Sequence, residues 1–302
     1  MEEYLPPHFR SLEDALFSLF GNGVKMEHKQ RISGGDINEA YSLALTDGRC
    51  IFMKANTIEN ASFFSAEAAG LTAIAKTGAI NVPCVLCRGA DKEHGSFLLL
   101  EFIAGRAPVS DYWETFALQL SQMHKADTSV FVKEGNYGFI SDNYIGSGIQ
   151  KNTAYEKWTS FFRDCRLEPQ FRRAADYFDS AERKKITWLL DHLNDILVEP
   201  EHPSLLHGDL WQGNVIAGPD GRAWLIDPAV YVGNAEADIA MTELFGGFSH
   251  RFYDAYKDTG LLLPGYSSRK NLYNLYHLLN HLNIFGRAYL SSVRKIVREY
   301  VP

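Results

Sequence analysis

Apolar and polar positions change rhythm about a third of the way along the chain. In the first hundred residues the apolar positions mostly alternate, as on half-buried strands; beyond them helical spacing dominates. The stretch VKMEHKQRI, residues 24–32, alternates in part and stops at SGGDIN. EAYSLALT and CIFMKA then flank the dipeptide Asp47-Gly48, a strong hairpin signal. The run NTIENASFFSAEAAGLTAIAKTG predicts a helix that closes at Gly78 with Lys76 in its last turn. CVLCRGAD and GSFLLLEFI return to strand. Gly105 and Pro108 break the pattern in EFIAGRAPVS, and four later segments carry helix-period apolar positions: DYWETFALQLSQMHKA, TAYEKWTSFFRDCRL, ADYFDSAERKKITWLLDHLNDIL and RKNLYNLYHLLNHLNIFGRAYLSSVRKIV. One segment interrupts them, NVIAGPDGRAWLIDPA, which predicts two short strands around Pro219-Asp220-Gly221. The expected fold is α+β in two lobes. Residues 1–102 form a small antiparallel sheet with one helix, residues 103–302 a mainly helical lobe, and the hinge falls at about 101–106.

Composition narrows the class only a little. A 46% hydrophobic content with 22% charged residues supplies a normal soluble core. The net charge of −7, with no Lys/Arg-rich run, argues against nucleic acid as a partner. No stretch approaches the ~18 consecutive apolar residues of a membrane span. The opening MEEYLPPHFR has acids where a signal peptide carries bases, so a cytoplasmic location is expected. Four cysteines are too few for a disulfide scaffold, and the Cys84–Cys87 C-x-x-C lacks the second pair that a zinc site needs. Two small apolar side chains near a strand is the simpler reading of that pair.

The densest polar chemistry lies in LLHGDLWQGNVIAG, residues 205–218. Asp209 and Asn214 stand five apart behind His207. Phosphoryl transfer needs a carboxylate at the acceptor hydroxyl and an oxygen ligand for Mg2+ on one rigid loop, which this spacing supplies. Asp227 ends the apolar strand of the hairpin that begins at Asn214, so the two should converge as a sparse magnesium site. In the first lobe Lys54 closes the apolar strand CIFMK. Phe63, Glu67 and Leu71, four apart, put a carboxylate on the apolar face of the following helix. A Lys–Glu pair of this kind holds the α- and β-phosphates of ATP in kinases. Gly34 and Gly35 in SGGDIN would let the backbone approach those phosphates closely. Loop, Lys, Glu, Asp-to-Asn and Asp thus follow one another in protein-kinase-like order.

Departures from protein kinases point to a small acceptor. Gly208 stands where H-R-D has Arg, Asp227-Pro228 where D-F-G stands, and no A-P-E follows, so no phosphorylation switch is expected. HGDLWQGN, IDPAVYVGNAEADIAMTELFGGF, GGDINEAY and DNYIGSGIQ…W…FF…RLEPQ, spread over residues 10–290, resemble the fructosamine kinase (ketosamine 3-kinase) family. That family is related to aminoglycoside and choline kinases. The resemblance implies an ATP-dependent phosphorylation of a sugar hydroxyl on ketosamines, a deglycation repair reaction. It implies Asp209 as catalytic base, Asn214 and Asp227 as Mg2+ ligands, Lys54 and Glu67 as nucleotide holders, and Glu101, Phe102 and Ile103 as the adenine hinge. Asp238 matches an acid that braces the catalytic loop; read without the resemblance it is equally a helix N-terminal acid. Asp36 stands where some relatives carry an oxidation-sensitive Cys, so that response should be missing, and Gln212 replaces a Ser common among relatives.

Trp211 lies where an acceptor sugar would approach, and either packs on it or anchors the core. His277 and His281 share a helical face, but without the Glu of H-E-x-x-H they read as core or cleft histidines. The expected partner is a small ketosamine or a glycated lysine on a protein, with no membrane partner, and the protein is expected to be a monomer. An aminoglycoside or other small-alcohol phosphotransferase is the alternative; the six acids against eight Lys/Arg from Tyr231 onward weigh against a polycationic acceptor. An inactive nucleotide-binding scaffold would be expected to lack one of Lys54, Asp209, Asn214 or Asp227, and all four are present.

Overall fold

The computed structural model describes residues 4–32 and 38–302. It divides into two compact units, Met1–Tyr112 with Val215–Pro228, and Trp113–Asn214 with Ala229–Pro302. The first is built on six strands: β1 His8–Phe9, β2 Met26–Ile32, β3 Glu39–Leu45, β4 Cys50–Asn56, β5 Val85–Asp91 and β6 Gly95–Glu101. Their order in the sheet is β1-β5-β6-β4-β3-β2. The five longer strands pair antiparallel, and the two-residue β1 adds to β5 in parallel.

Alternation on the central strand β4 decides where its one charge goes. Ile51, Met53 and Ala55 point to a cluster with Leu43, Phe97 and Leu99 that is closed by Leu12, Ala15 and Leu16 of helix α1, Leu12–Phe20. Lys54 and Phe52 point to the opposite face, where Leu98 and Leu100 of β6 pack on Phe64, Ala68 and Leu71 of helix α2, Ala61–Thr77. Helix α1 is a second helix where one was expected. Its start is capped by the Ser11 hydroxyl, which accepts from Asp14 N at 3.0 Å, and Gly21 ends it. At nine residues it is too short to stand out by periodicity.

The second unit is mainly helical. Its longer helices are Tyr112–His124, Ser180–Asp191, Ala235–Leu244, Tyr266–Phe285 and Leu290–Tyr300. The last two were expected as one; Gly286, at φ 83, breaks them where a left-handed residue is needed. The segment expected to be helical from residue 153 begins at Trp158, because Tyr155 is held in a bridge to Tyr137, and it continues as a π-helical turn, Phe162–Leu167. Helix Ser180–Asp191 starts five residues later than its apolar pattern suggested, at a capping box formed by Asp179 and Glu182. Two small ladders complete the unit, Asn143–Ile145 with Gly148–Gln150, and Ser204–Leu206 with Tyr231–Gly233.

Candidate active site

Within the first unit, Lys54, Glu67 and Asp227 meet. The Lys54 ammonium donates to Glu67 Oε1 at 2.6 Å and to Asp227 Oδ1 at 2.5 Å. Asp227 reaches it because residues 215–228 are stitched into this unit. The hairpin Val215–Ala217 and Ala223–Leu225 receives Arg106 N on Ala217 O, Val109 N on Gly221 O, and gives Leu225 N to Asn81 O. The backbone of Asp227 then turns left-handed, at φ 55. That conformation costs a non-glycine residue roughly 1–2 kcal/mol, and Asp is among the residues that tolerate it. Burial opposes the charge of Lys54, but Asp227 and Glu67 outweigh it and raise its pKa. Glu67 is pushed up by burial, with Lys54 pulling the other way and Asp227 adding to the rise. The cluster carries one more carboxylate than cation, and Asp227 remains 44% exposed while Lys54 and Glu67 are buried.

Glu101 ends β6 in a closed exchange with Cys84: Glu101 N donates to Cys84 O at 2.9 Å, and Cys84 N donates to Glu101 Oε2 at 3.1 Å. Phe102 and Ile103 follow it half-buried. Gly34, Gly35 and Asp36 lie outside the described residues.

Within the second unit, the fully buried strand Ser204–Leu206 delivers the chain to Asp209. Gly208 sits at φ 80, and a Cβ there would lie 2.1 Å from Ala229 O, so no other residue fits. Asp238, in the first turn of helix Ala235–Leu244, accepts from His207 N at 2.7 Å and Gly208 N at 2.9 Å. Its other contact is His124 Nε2 at 3.2 Å, and His124 Nδ1 is 2.6 Å from the Tyr256 hydroxyl. The Asp238 carboxylate accepts from Nε2–H, and His124 thereby joins it to the Tyr256 hydroxyl, whose pKa burial raises well above its ordinary value. Burial works against the Asp238 charge too, yet these bonds hold its pKa below the ordinary value. The carboxylate therefore clamps the loop that carries Asp209. Asn214 closes that loop, its Nδ2 donating to Asp209 O at 2.8 Å and to Asp209 Oδ2 at 3.2 Å.

Trp211 is 38% exposed, and its ring covers Gly213 so closely that a Cβ there would come within 2.3 Å of it. His277 is buried, and His281 Nδ1–H donates to the His277 carbonyl at 2.8 Å. No group of three or more His, Cys, Asp or Glu side chains poised for a metal occurs among the described residues. Cys84 and Cys87 are free thiols, and burial raises the pKa of both. His124 went unnoticed in the sequence. Its only signal is a polar residue on the apolar face of LSQMH, and most such histidines are packing residues.

An aminoglycoside phosphotransferase structure matches the chain with a TM-score of 0.57 over 95% of this chain and 98% of that one, at 19% identity. The two chains therefore share a fold. More specifically, the fructosamine kinase family model matches residues 9–302. The protein-ribulosamine 3-kinase of Oryza sativa subsp. indica is 37% identical over 283 residues, 93% of this chain and 81% of that protein. A Synechocystis protein named "Probable ketoamine kinase" is 35% identical over 97% of each chain. A solved structure from Haemophilus somnus, provisionally named fructosamine-3-kinase, matches with a TM-score of 0.84 at 30% identity and 97% coverage of each. The chain belongs to the fructosamine kinase family, and membership makes it a phosphotransferase for which ATP is the implied donor. No helix among the described residues is long and apolar enough to cross a membrane.

Proposed function

We propose that the protein transfers the γ-phosphoryl group of ATP to a sugar hydroxyl of a ketosamine, free or formed on a protein lysine. The observation that carries this reading is the loop of Asp209: its backbone is clamped by Asp238 and its carboxylate is oriented by Asn214 Nδ2. A carboxylate fixed on both sides suits general-base work, since its position does not have to be found anew at each turnover.

In this reading the acceptor hydroxyl gives its proton to Asp209 as its oxygen bonds to phosphorus, the bond from phosphorus to the ADP oxygen breaks, and ADP leaves. Lys54, oriented by Glu67, binds the nucleotide phosphates and offsets charge on the transferring group. Glu101, Phe102 and Ile103 hold the adenine, and Gly34 and Gly35 cover the phosphates. Asn214 and Asp227 suit a hard divalent cation. Asn214 spends its amide N–H groups on Asp209, which leaves the amide oxygen as ligand, and Asp227 is an accessible carboxylate. Mg2+ held there would shield the phosphate oxygens. Trp211 offers its face to the sugar or to the adjoining amine cation.

The test is ATP consumption with ribuloselysine and fructoselysine against kanamycin and choline. Turnover confined to the ketosamines is expected; turnover with kanamycin or choline alone would move the assignment to the alternative acceptors. Asp209→Asn should abolish turnover and leave ATP binding nearly intact, and surviving turnover would remove Asp209 as the base.

A further inference from the structure

A buried polar network in the helical unit is used by none of these steps. It starts from the small hairpin Asn143–Ile145 and Gly148–Gln150, whose end residues face inward. Gln150 Nε2 donates to Ala229 O at 2.9 Å and to Asn143 Oδ1 at 2.8 Å. Asn143 Nδ2 donates to Val230 O at 2.7 Å. Behind them Asn152 donates to Asn143 Oδ1 at 3.0 Å, and Arg166 donates to Asn152 Oδ1 at 2.8 Å. The Tyr276 hydroxyl closes the array by donating to Gln150 Oε1 at 2.7 Å. Gln150 is 1% exposed and Arg166 not exposed at all.

The two carbonyls it grips are not arbitrary. Ala229 N donates to His207 O at 2.9 Å, and Ala229 O lies against Gly208, where it leaves no room for a Cβ. His207 and Gly208 are the residues that Asp238 holds from the other side. The loop before Asp209 is therefore seated between Asp238 and residues 229–230, and residues 229–230 are set by Gln150 and Asn143. The π-helical turn Phe162–Leu167 supports this by carrying Arg166 inward, where its guanidinium lies 3.9 Å over the Tyr231 ring and donates to Lys151 O at 2.6 Å. A π-turn is unfavourable by itself and persists where it serves a side-chain placement. A half-satisfied network would be worse than an apolar core, so each member depends on the others.

We propose that Gln150, with Asn143, is a positioning residue for phosphoryl transfer, acting through the Ala229 and Val230 carbonyls on the seat of the Asp209 loop. The proposal rests on Asp209 as base. It concerns kcat rather than nucleotide affinity, because Lys54 and Glu67 belong to the other unit.

The test is steady-state kinetics of the full chain with ATP and ribuloselysine, beside thermal unfolding. Gln150→Met keeps the volume and removes the donors. Its kcat should fall on the order of 100-fold, the scale of a small misplacement of catalytic groups, with the KM for ATP within about twofold. Thr159→Val, which removes a hydrogen bond to Glu199 elsewhere in the same unit, is the control for destabilisation alone and should keep its kcat. Equal kcat losses in the two variants, or a Gln150→Met kcat within about threefold of wild type, would overturn the proposal. If Gln150→Met does not fold, Tyr276→Phe, which removes the hydroxyl's bond to Gln150 Oε1 together with its bond to Gln170, decides: roughly a three- to tenfold loss of kcat is expected, and no loss overturns it. Asp209→Asn run in parallel separates the two ideas. Full turnover there rejects the base, whereas an inactive Asp209→Asn beside an unaffected Gln150→Met rejects only the positioning role.

Discussion

Two clusters of buried charge, one in each unit, are built on opposite plans. In the helical unit Glu236 and Arg269 are sealed from water, and Arg269 donates to both Glu236 oxygens, to Pro264 O and to Leu263 O. Leu263 N donates back to Glu236 Oε1. Charges match one to one and the loop at 263–264 is pinned between two helices. In the other unit one ammonium, Lys54, serves two carboxylates, and Asp227 keeps a solvent-facing side. A matched and fully bonded buried pair contributes to packing. A surplus of charge with one open carboxylate is instead the condition for meeting an outside ligand.

Each side of that contrast can be broken separately. Arg269→Met strands Glu236 without a cation and should cost about 3–5 kcal/mol of stability, read by denaturant unfolding, while kcat/KM per folded molecule stays within about threefold. A comparable loss of kcat/KM in the folded fraction would erase the distinction. Lys54→Met should do the reverse and lower kcat/KM for ATP by about 10²–10³, or roughly 2.7–4 kcal/mol of transition-state stabilisation. Activity near wild type would make the Lys54 cluster structural.

His277 shows a third plan, a buried titratable group kept neutral. Burial, with His281 second, pushes its pKa down to about 3 from 6.5. The unfolded chain therefore binds a proton that the folded one refuses, so stability rises with pH across about 3 to 6.5 and is lost as pH falls through that window. The slope from this one group is about 1.4 kcal/mol per pH unit. His277→Gln should flatten the acid limb of unfolding free energy measured from pH 4 to 7; an unchanged limb would mean another group carries it. The smallest effect expected is at Gly213. Gly213→Ala displaces the Trp211 ring and should raise the KM for a ketosamine severalfold with that for ATP unchanged, and Trp211→Ala should raise it further. Equal changes in both KM values would make Trp211 a core anchor.

Much of the local structure was legible before any fold was known. Asp47-Gly48 marked the hairpin, and Lys54 at the end of the apolar strand CIFMK, with Glu67 on the apolar face of the helix that follows, already stood as candidate partners. These are short-range signals, carried by backbone geometry that repeats every two or every 3.6 residues. Three-residue strands carry no such period, so the pairing of Ser204–Leu206 with Tyr231–Gly233 was invisible, as was the hairpin that ends in Gln150. The left-handed break at Gly286 was lost inside a long apolar pattern.

By itself, then, the sequence determined the five longer strands of the sheet and the hairpin at 215–225, most helices, the Asp209-to-Asn214 loop and the resemblance that points to its chemistry. Only the tertiary structure decided that residues 215–228 join the first unit and so give Lys54 its second carboxylate. It alone placed His124 under Asp238 and ran the Gln150 network to the loop before Asp209. The physical reason is common to all three. A buried polar group must find its partner wherever the packing brings one, often more than a hundred residues away, and nothing in the local pattern records that distance.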